Sequence, residues 1–248
     1  MTMQSRLLIS VYAPALEGDD GRALAAVHEM ERALPGLRLE WEVSKEGRLI
    51  ALPQRDAWLA EAAQRGEFPL LCNGDESNPV TITGLRRPAS LLPGGQPQLQ
   101  VHAKLPLDIA AASRVLEGIA KGAHAFWGHA SPKGFGAEVA QQMRNTTHGP
   151  ALSPRGLPML TPPDEIRSPE IPHHLGWLNY WSAAAARNIG FPDAARDAEL
   201  VSRARRTETG GWVVRLTDTP LDFNKPGHLT ALLRAYERFP EIGGRSGR

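Results

Sequence analysis

Apolar and polar residues alternate strictly along Leu37-Arg38-Leu39-Glu40-Trp41-Glu42-Val43. A period of two places successive side chains on opposite faces of an extended chain, so this segment predicts a strand with Glu40 and Glu42 on its polar side. The apolar run Leu7-Leu8-Ile9-Ser10-Val11-Tyr12 predicts an earlier strand over Arg6–Ala13. A helix follows, entered at Asp19/Asp20, with Leu24, Val27 and Leu34 along one face and Pro35-Gly36 as its stop. A short strand over Arg48–Leu52 precedes a helix with Pro53 near its first turn and Trp58 on its apolar side. Val80–Leu85 and Leu99–Leu105 read as two further strands, separated by a turn region around Pro93-Gly94-Gly95.

Asp108 then stands where an N-cap belongs. After it Ile109, Ala112, Leu116, Ile119, Ala123 and Phe126 recur at three- and four-residue steps, which predicts a helix running to a stop at Gly128. A second helix is expected over Gly136–Asn145. Seven prolines fall between 149 and 172, which excludes regular helix and central strand there. That stretch is expected to be an ordered crossing loop dividing one domain, residues 1–248, into an N-terminal and a C-terminal subregion. Beyond it the pattern predicts a helix over His174–Ile189, then a hairpin of Glu199–Arg206 and Trp212–Thr217 joined through Gly210-Gly211. A final helix begins at Pro226, turns Leu229, Leu232, Leu233 and Tyr236 inward, and ends before Pro240. Strands close enough to pair as neighbours, interspersed with helices, define an α+β fold: a mixed, largely antiparallel sheet with helices packed on it.

Composition narrows the function. At 248 residues, with 42% hydrophobic and 22% charged residues, the chain has an ordinary globular make-up and is not of a disordered class. A net charge of +1 is neither the basic excess of a nucleic-acid binder nor the acidic excess of a DNA mimic. Recognition by charge therefore falls to local patches. The single cysteine, Cys72, forms no intramolecular disulfide and no multi-cysteine metal site, which suits a reducing cytoplasm. The first apolar run is too short for the core of a secretory signal, and no apolar stretch reaches the length of a membrane span, roughly 18 residues.

The search for chemistry gives little. Gly134-Phe135-Gly136 opens like a dinucleotide fingerprint, but Val139 stands where its third glycine belongs, and no strand precedes it. Of the eight histidines, His124 and His129 are five apart, about 140° around a helix, and His173 and His174 are adjacent. His28 and His102 fall in a helix and a strand without an acidic partner at ligand spacing. Structural, hydrogen-bonded histidines account for all of these. Asp218 and Asp222 flank Pro220 as turn caps, and Cys72 reads as a small buried hydrophobe. Arg203-Ala204-Arg205-Arg206 is the one basic cluster, a strand face that either meets solvent or contacts an acidic partner or nucleic acid. The six tryptophans fall in or beside apolar patterns and are expected in the core. No catalytic residue, cofactor site or metal site is assigned, which leaves a hydrolase-like enzyme as an alternative without a named site.

Two segments carry a family likeness. One is Leu175-Gly176-Trp177-Leu178-Asn179-Tyr180-Trp181-Ser182. The other runs from Trp212-Val213-Val214-Arg215-Leu216-Thr217-Asp218-Thr219-Pro220-Leu221-Asp222 through Pro226, His228-Leu229 and Tyr236 to Phe239-Pro240-Glu241-Ile242-Gly243-Gly244-Arg245. In this order they resemble immunity protein family 52, antidotes carried beside polymorphic and type VI-secreted toxins. The resemblance implies a stoichiometric inhibitor rather than an enzyme. Its partner would be a cognate toxin, a nuclease of restriction-endonuclease-like fold, bound in the producing cell with no direct role for membrane or nucleic acid.

Such a partner directs attention to acidic residues, because a nuclease groove is basic and charge complementarity speeds association. These concentrate early in the chain. Asp19, Asp20, Glu29 and Glu31 on the first helix, with Glu40 and Glu42 on the alternating strand, are the candidate toxin interface. A solvated amphipathic face accounts for the same residues.

Overall fold

A computed structural model describes residues 6–18, 20–44, 46–106, 108–143, 153 and 155–245. In chain order the elements are β1 (Arg6–Pro14), α1 (Arg22–Ala33), β2 (Trp41–Val43), β3 (Leu49–Ala51), α2 (Arg55–Gln64), β4 (Phe68–Cys72), β5 (Thr81–Arg87), β6 (Gln98–Pro106), α3 (Ile109–Gly122), β7 (Trp127–Pro132), α4 (Phe135–Gln142), β8 (Leu178–Trp181), α5 (Ala183–Asn188), α6 (Ala198–Ser202), β9 (Ala204–Arg206), β10 (Trp212–Arg215) and α7 (Pro226–Arg238). The strands form one ten-stranded sheet in the order β3-β2-β4-β5-β6-β1-β7-β8-β10-β9. Every pairing in it is antiparallel. The fold is α+β, as the strand spacing predicts, and strands from both sides of the Pro-rich segment share the sheet.

Register sorts the side chains. Ile50, Glu42, Leu71, Ile82, Ala103, Ile9, Ala130, Leu178 and Arg215 stand opposite one another on successive strands. The middle of this row is buried, and it lies on the face that α3 covers, with α1 packed on α3. Leu7, Val11 and Ala13 of β1 and Leu99, Val101 and Leu105 of β6 point the same way. Helix α3 starts at Asp108 as expected, its carboxylate accepting from the backbone N–H of Ala110 at 2.9 Å and of Ala111 at 3.1 Å. It crosses α1 so closely that a Cβ on Gly122 would lie 2.5 Å from the backbone of Ala25 and Ala26.

Several elements depart from the sequence pattern. The alternating segment 37–43 is a strand only over Trp41–Val43. Leu39 is fully buried, but its N–H donates to the Glu31 carboxylate at 2.8 Å instead of to a neighbouring strand. The helix after Asp108 ends at Gly122, and Gly128 lies inside the central strand β7. There a Cβ would lie 2.6 Å from Val11 Cγ1, so this glycine serves close packing and not a helix stop. The helix expected over His174–Ile189 is a strand, Leu178–Trp181, followed by the short α5. All four residues of β8 are buried, so no alternation marks it as a strand. In the expected hairpin, residues 198–202 are helical and only Ala204–Arg206 pair with β10. β4 has no counterpart among the expected strands. Pro69 interrupts its pattern, and the pairing with β5 shifts register between Phe68 and Leu71.

Helix α4 falls where the second helix is expected, with Asn145 outside the described residues. The described part of the Pro-rich segment is tied down. Leu160 N–H donates to Gln142 O at 2.9 Å, Thr161 N–H to Gly243 O at 2.9 Å, and Gly94 N–H to Ile166 O at 2.8 Å. Among the described residues no helix is long and apolar enough to cross a membrane.

Candidate functional site

The second face of the sheet differs in chemistry from the first. Alternation along β1 puts Leu8, Ser10 and Tyr12 on it, and alternation along β6 adds Gln98, Gln100, His102 and Lys104. Cross-strand register then assembles two transverse rows. Thr83, His102, Ser10, His129 and Asn179 stand side by side on β5, β6, β1, β7 and β8. Next to them run Gln100, Tyr12, Trp127, Trp181 and Trp212. Directly opposed side chains on neighbouring strands are in contact range, so each row is continuous. Tyr12 and Trp127 stack with ring centroids 3.9 Å apart and planes inclined by 13°. Trp181 meets Phe191 and Phe239 edge-on, and so lies beneath the C-terminal part of the chain.

That C-terminal cover stops short of β6 and β1 and leaves a cleft of about 620 Å³. Its floor is the middle of the two rows. Its walls are Leu91, Leu92 and Pro93 after β5, Phe135 and Val139 of α4 with Met143 just after it, and Pro163, His173 and His174 from the Pro-rich segment and its end. The last wall is held by a tight turn before β8. Asn179 brackets Gly176, accepting from its N–H at 2.8 Å and donating to its carbonyl at 3.0 Å. A Cβ on Gly176 would sit 2.7 Å from Ser131 Oγ and 2.8 Å from His129 Cβ, so glycine is needed for this approach. Leu175 N–H donates to the Tyr236 hydroxyl at 3.2 Å, which anchors the turn on α7.

Four histidines line the cleft in different states of contact, and of these His173 has its Nε2 3.1 Å from Thr161 O. His102 Nδ1 is 2.9 Å from Ser10 Oγ, and its pKa is lowered by burial and by the charges of Lys104 and Arg87. His129 is pushed down to about 3, by burial and then by His102. His174 is lowered for the same first reason and by His129 and His173. The imidazoles at the centre are therefore neutral at pH 7, and the positive charge of the cleft comes from Arg87 and Lys104. The Ser10–His102 pair has the reach of a nucleophile and base. However, β1 is bonded on both sides, to β6 and β7, so the N–H groups beside Ser10 belong to the sheet and not to an oxyanion hole. Among the described residues no group of three His, Cys, Asp or Glu side chains is placed to hold a metal ion.

The acidic residues of the expected interface separate in space. Asp19 lies outside the described residues. Asp20 accepts from Arg22 Nε at 2.7 Å and from the Arg22 N–H at 3.0 Å, which binds the start of α1 to its preceding loop. Glu29 pairs with Arg32 at 2.5 Å. Glu31 is buried against Arg55, 2.6 Å away. Glu40 is exposed and Glu42 half-buried, both at the β2–β3 end of the sheet. Within the basic run, Arg205 pairs with Glu117, and Arg203 donates to Leu216 O at 3.1 Å, leaving Arg206 exposed on the opposite edge strand. Sequence reasoning named His102, His129, His173 and His174 as structural and did not group them. Polar residues at every second position of β6, opposite a fully apolar face, were the signal available.

An all-antiparallel sheet with α3 packed on one face and a half-covered cleft walled in part by α4 on the other defines the class of this protein. The chain belongs to the family described as "Domain of unknown function (DUF5953)", whose model matches residues 18–247. No curated protein matches it in sequence. Among solved structures, the Pseudomonas aeruginosa T6SS protein PA0821 aligns with a TM-score of 0.56 at 18% identity, over 96% of this chain and 73% of that one. At that identity the likeness shows a common fold.

Proposed function

We propose that this protein is an immunity protein. It binds and neutralises a cognate toxin, a restriction-endonuclease-like nuclease delivered by type VI secretion, in the cytoplasm of the producing cell, and catalyses no reaction. The observation that carries this reading is the fold shared with a T6SS protein over 96% of the chain. The motif likeness to immunity protein family 52 adds to it and is finer than the family match. Its residues build β8 and β10 and the chain that packs on them: Trp177 Nε1 donates to Thr217 O at 2.8 Å, and Arg245 Nη2 donates to Phe239 O at 2.9 Å.

With Glu29 and Glu31 spent on internal cations, the part of the acidic surface left for a basic partner is Glu40 and Glu42 beside Ile50, itself 45% exposed. An apolar residue rimmed by carboxylates on a terminal hairpin suits a positively charged groove. The test is co-expression with each neighbouring toxin-like reading frame, scoring survival and co-purification. Rescue with a one-to-one complex is expected, weakened at least tenfold by the double substitution Glu40→Lys/Glu42→Lys. Failure of every neighbour to be neutralised overturns the antidote reading. Rescue that is indifferent to the double substitution moves the interface elsewhere.

A further inference from the structure

We infer that the cleft on the open face of the sheet is a binding site for a small organic acid: a flat apolar body with one anionic group. Size is the first argument. A concavity of about 620 Å³ falls within the range of small-molecule sites, roughly 300–1,000 Å³, and is lined mainly by apolar walls with a few convergent polar groups.

Charge is the second. Arg87 and Lys104 lie on the two strands that form one side of the cleft, and both act on His102 at its centre. Neither has a carboxylate partner among the described residues. Asp164, the one carboxylate among the described lining residues, is exposed on the Pro-rich wall. Asp164 is thus the one anionic side chain among the described lining residues to set against the two cations.

Unsatisfied polar atoms are the third and independent argument. Gln98 is 2% exposed and stands directly across from Arg87, yet its Nε2 has no hydrogen-bond partner. His174 Nδ1, on the opposite wall, is equally unpartnered. Gln98 Nε2 is an obligatory donor, and a buried donor without a partner points to an acceptor supplied from the cleft that Gln98 lines. An anionic oxygen near Arg87 and Gln98 Nε2 is such an acceptor, with the apolar body lying along Tyr12, Leu91 and Met143 toward α4. A guanidinium with a side-chain amide beside it suits a two-oxygen head group.

This inference is independent of the antidote reading and is tested on the isolated protein. Isothermal titration calorimetry would compare 2-naphthoate with its uncharged isostere 2-naphthamide. One-to-one binding of naphthoate is expected, at least tenfold tighter than naphthamide. Arg87→Gln should weaken naphthoate by about tenfold and leave naphthamide unchanged. Gly136→Phe should abolish both, because a Cβ at Gly136 meets nothing within 4 Å and a larger side chain there fills the cleft mouth. Unchanged thermal unfolding of both variants secures the comparison. No saturable naphthoate binding in the millimolar range, equal affinity for acid and amide, or indifference to both substitutions overturns the inference.

Discussion

His129 and His174 meet Nε2 to Nε2 at 3.0 Å, 45 residues apart in sequence and both buried. One ring must donate and the other accept. The contact joins the central strand β7 to the turn that precedes β8, and so fixes the wall of the cleft to its floor. Both imidazoles are held neutral by burial.

A pH dependence follows from that depression. In the unfolded chain each histidine takes up a proton near its ordinary value, about 6.5, whereas folded His129 does so only near 3. Below about 6.5 the unfolded state therefore binds more protons, and stability falls with falling pH. The contribution is complete above about 6.5 and is lost progressively toward 3, by at most ~1.4 kcal/mol per pH unit for each such histidine. Urea unfolding at pH 7.5, 6.5 and 5.5, where carboxylates remain ionised, should show this slope. His129→Gln should reduce it by up to one proton; an unchanged slope refutes the assignment.

Glu31 is held by Arg55 Nη1 at 2.6 Å and also accepts from the Leu39 N–H. Removing the carboxylate strands the buried Leu39 N–H and leaves the Arg55 guanidinium with Asp56 as its carboxylate partner. Glu31→Ala is expected to cost about 1–3 kcal/mol, and Glu31→Leu with Arg55→Met to recover part of that loss. Denaturant unfolding of the three proteins checks it, and a loss below 1 kcal/mol for the single variant contradicts the geometry.

Gly122 lies where α3 crosses α1, and the atoms that a Cβ would meet are backbone atoms of Ala25 and Ala26, which do not swing aside. Gly122→Ala is expected to destabilise by about 1–3 kcal/mol despite the better helix propensity of alanine. Gly136→Ala, with open space around it, should be neutral or stabilising by up to about 1 kcal/mol. Thermal melts that reverse this order would mean that the helices separate readily.

The Asp108 carboxylate satisfies two N–H groups at the start of α3. Asp108→Ala should lower stability by about 1 kcal/mol and Asp108→Ser by less. Equal losses for both would show that the oxygen acceptor is not what matters there.

Elements with one face toward the helices and one toward the cleft were legible from the chain. β6 alternates between apolar and polar residues, and α3 carries both its cap and its apolar period, because each has two sides in different surroundings; β1 was legible as an apolar run. β7 and β8 were misread because their residues are buried on both sides, where neither period appears. In the 37–43 segment alternation correctly buried Leu39, but the Glu31 carboxylate took the N–H that a ladder would have used.

The α+β class, the antiparallel neighbours β5 and β6, and the cap and phase of α3 followed from the order of residues alone, since they depend on contacts between nearby positions. The cleft did not. Ser10 faces His102 across 92 positions and His129 faces His174 across 45, and no local pattern encodes which strands become neighbours. The side chains that meet there were selected by register in a ten-stranded sheet, a property that exists only once distant strands have paired.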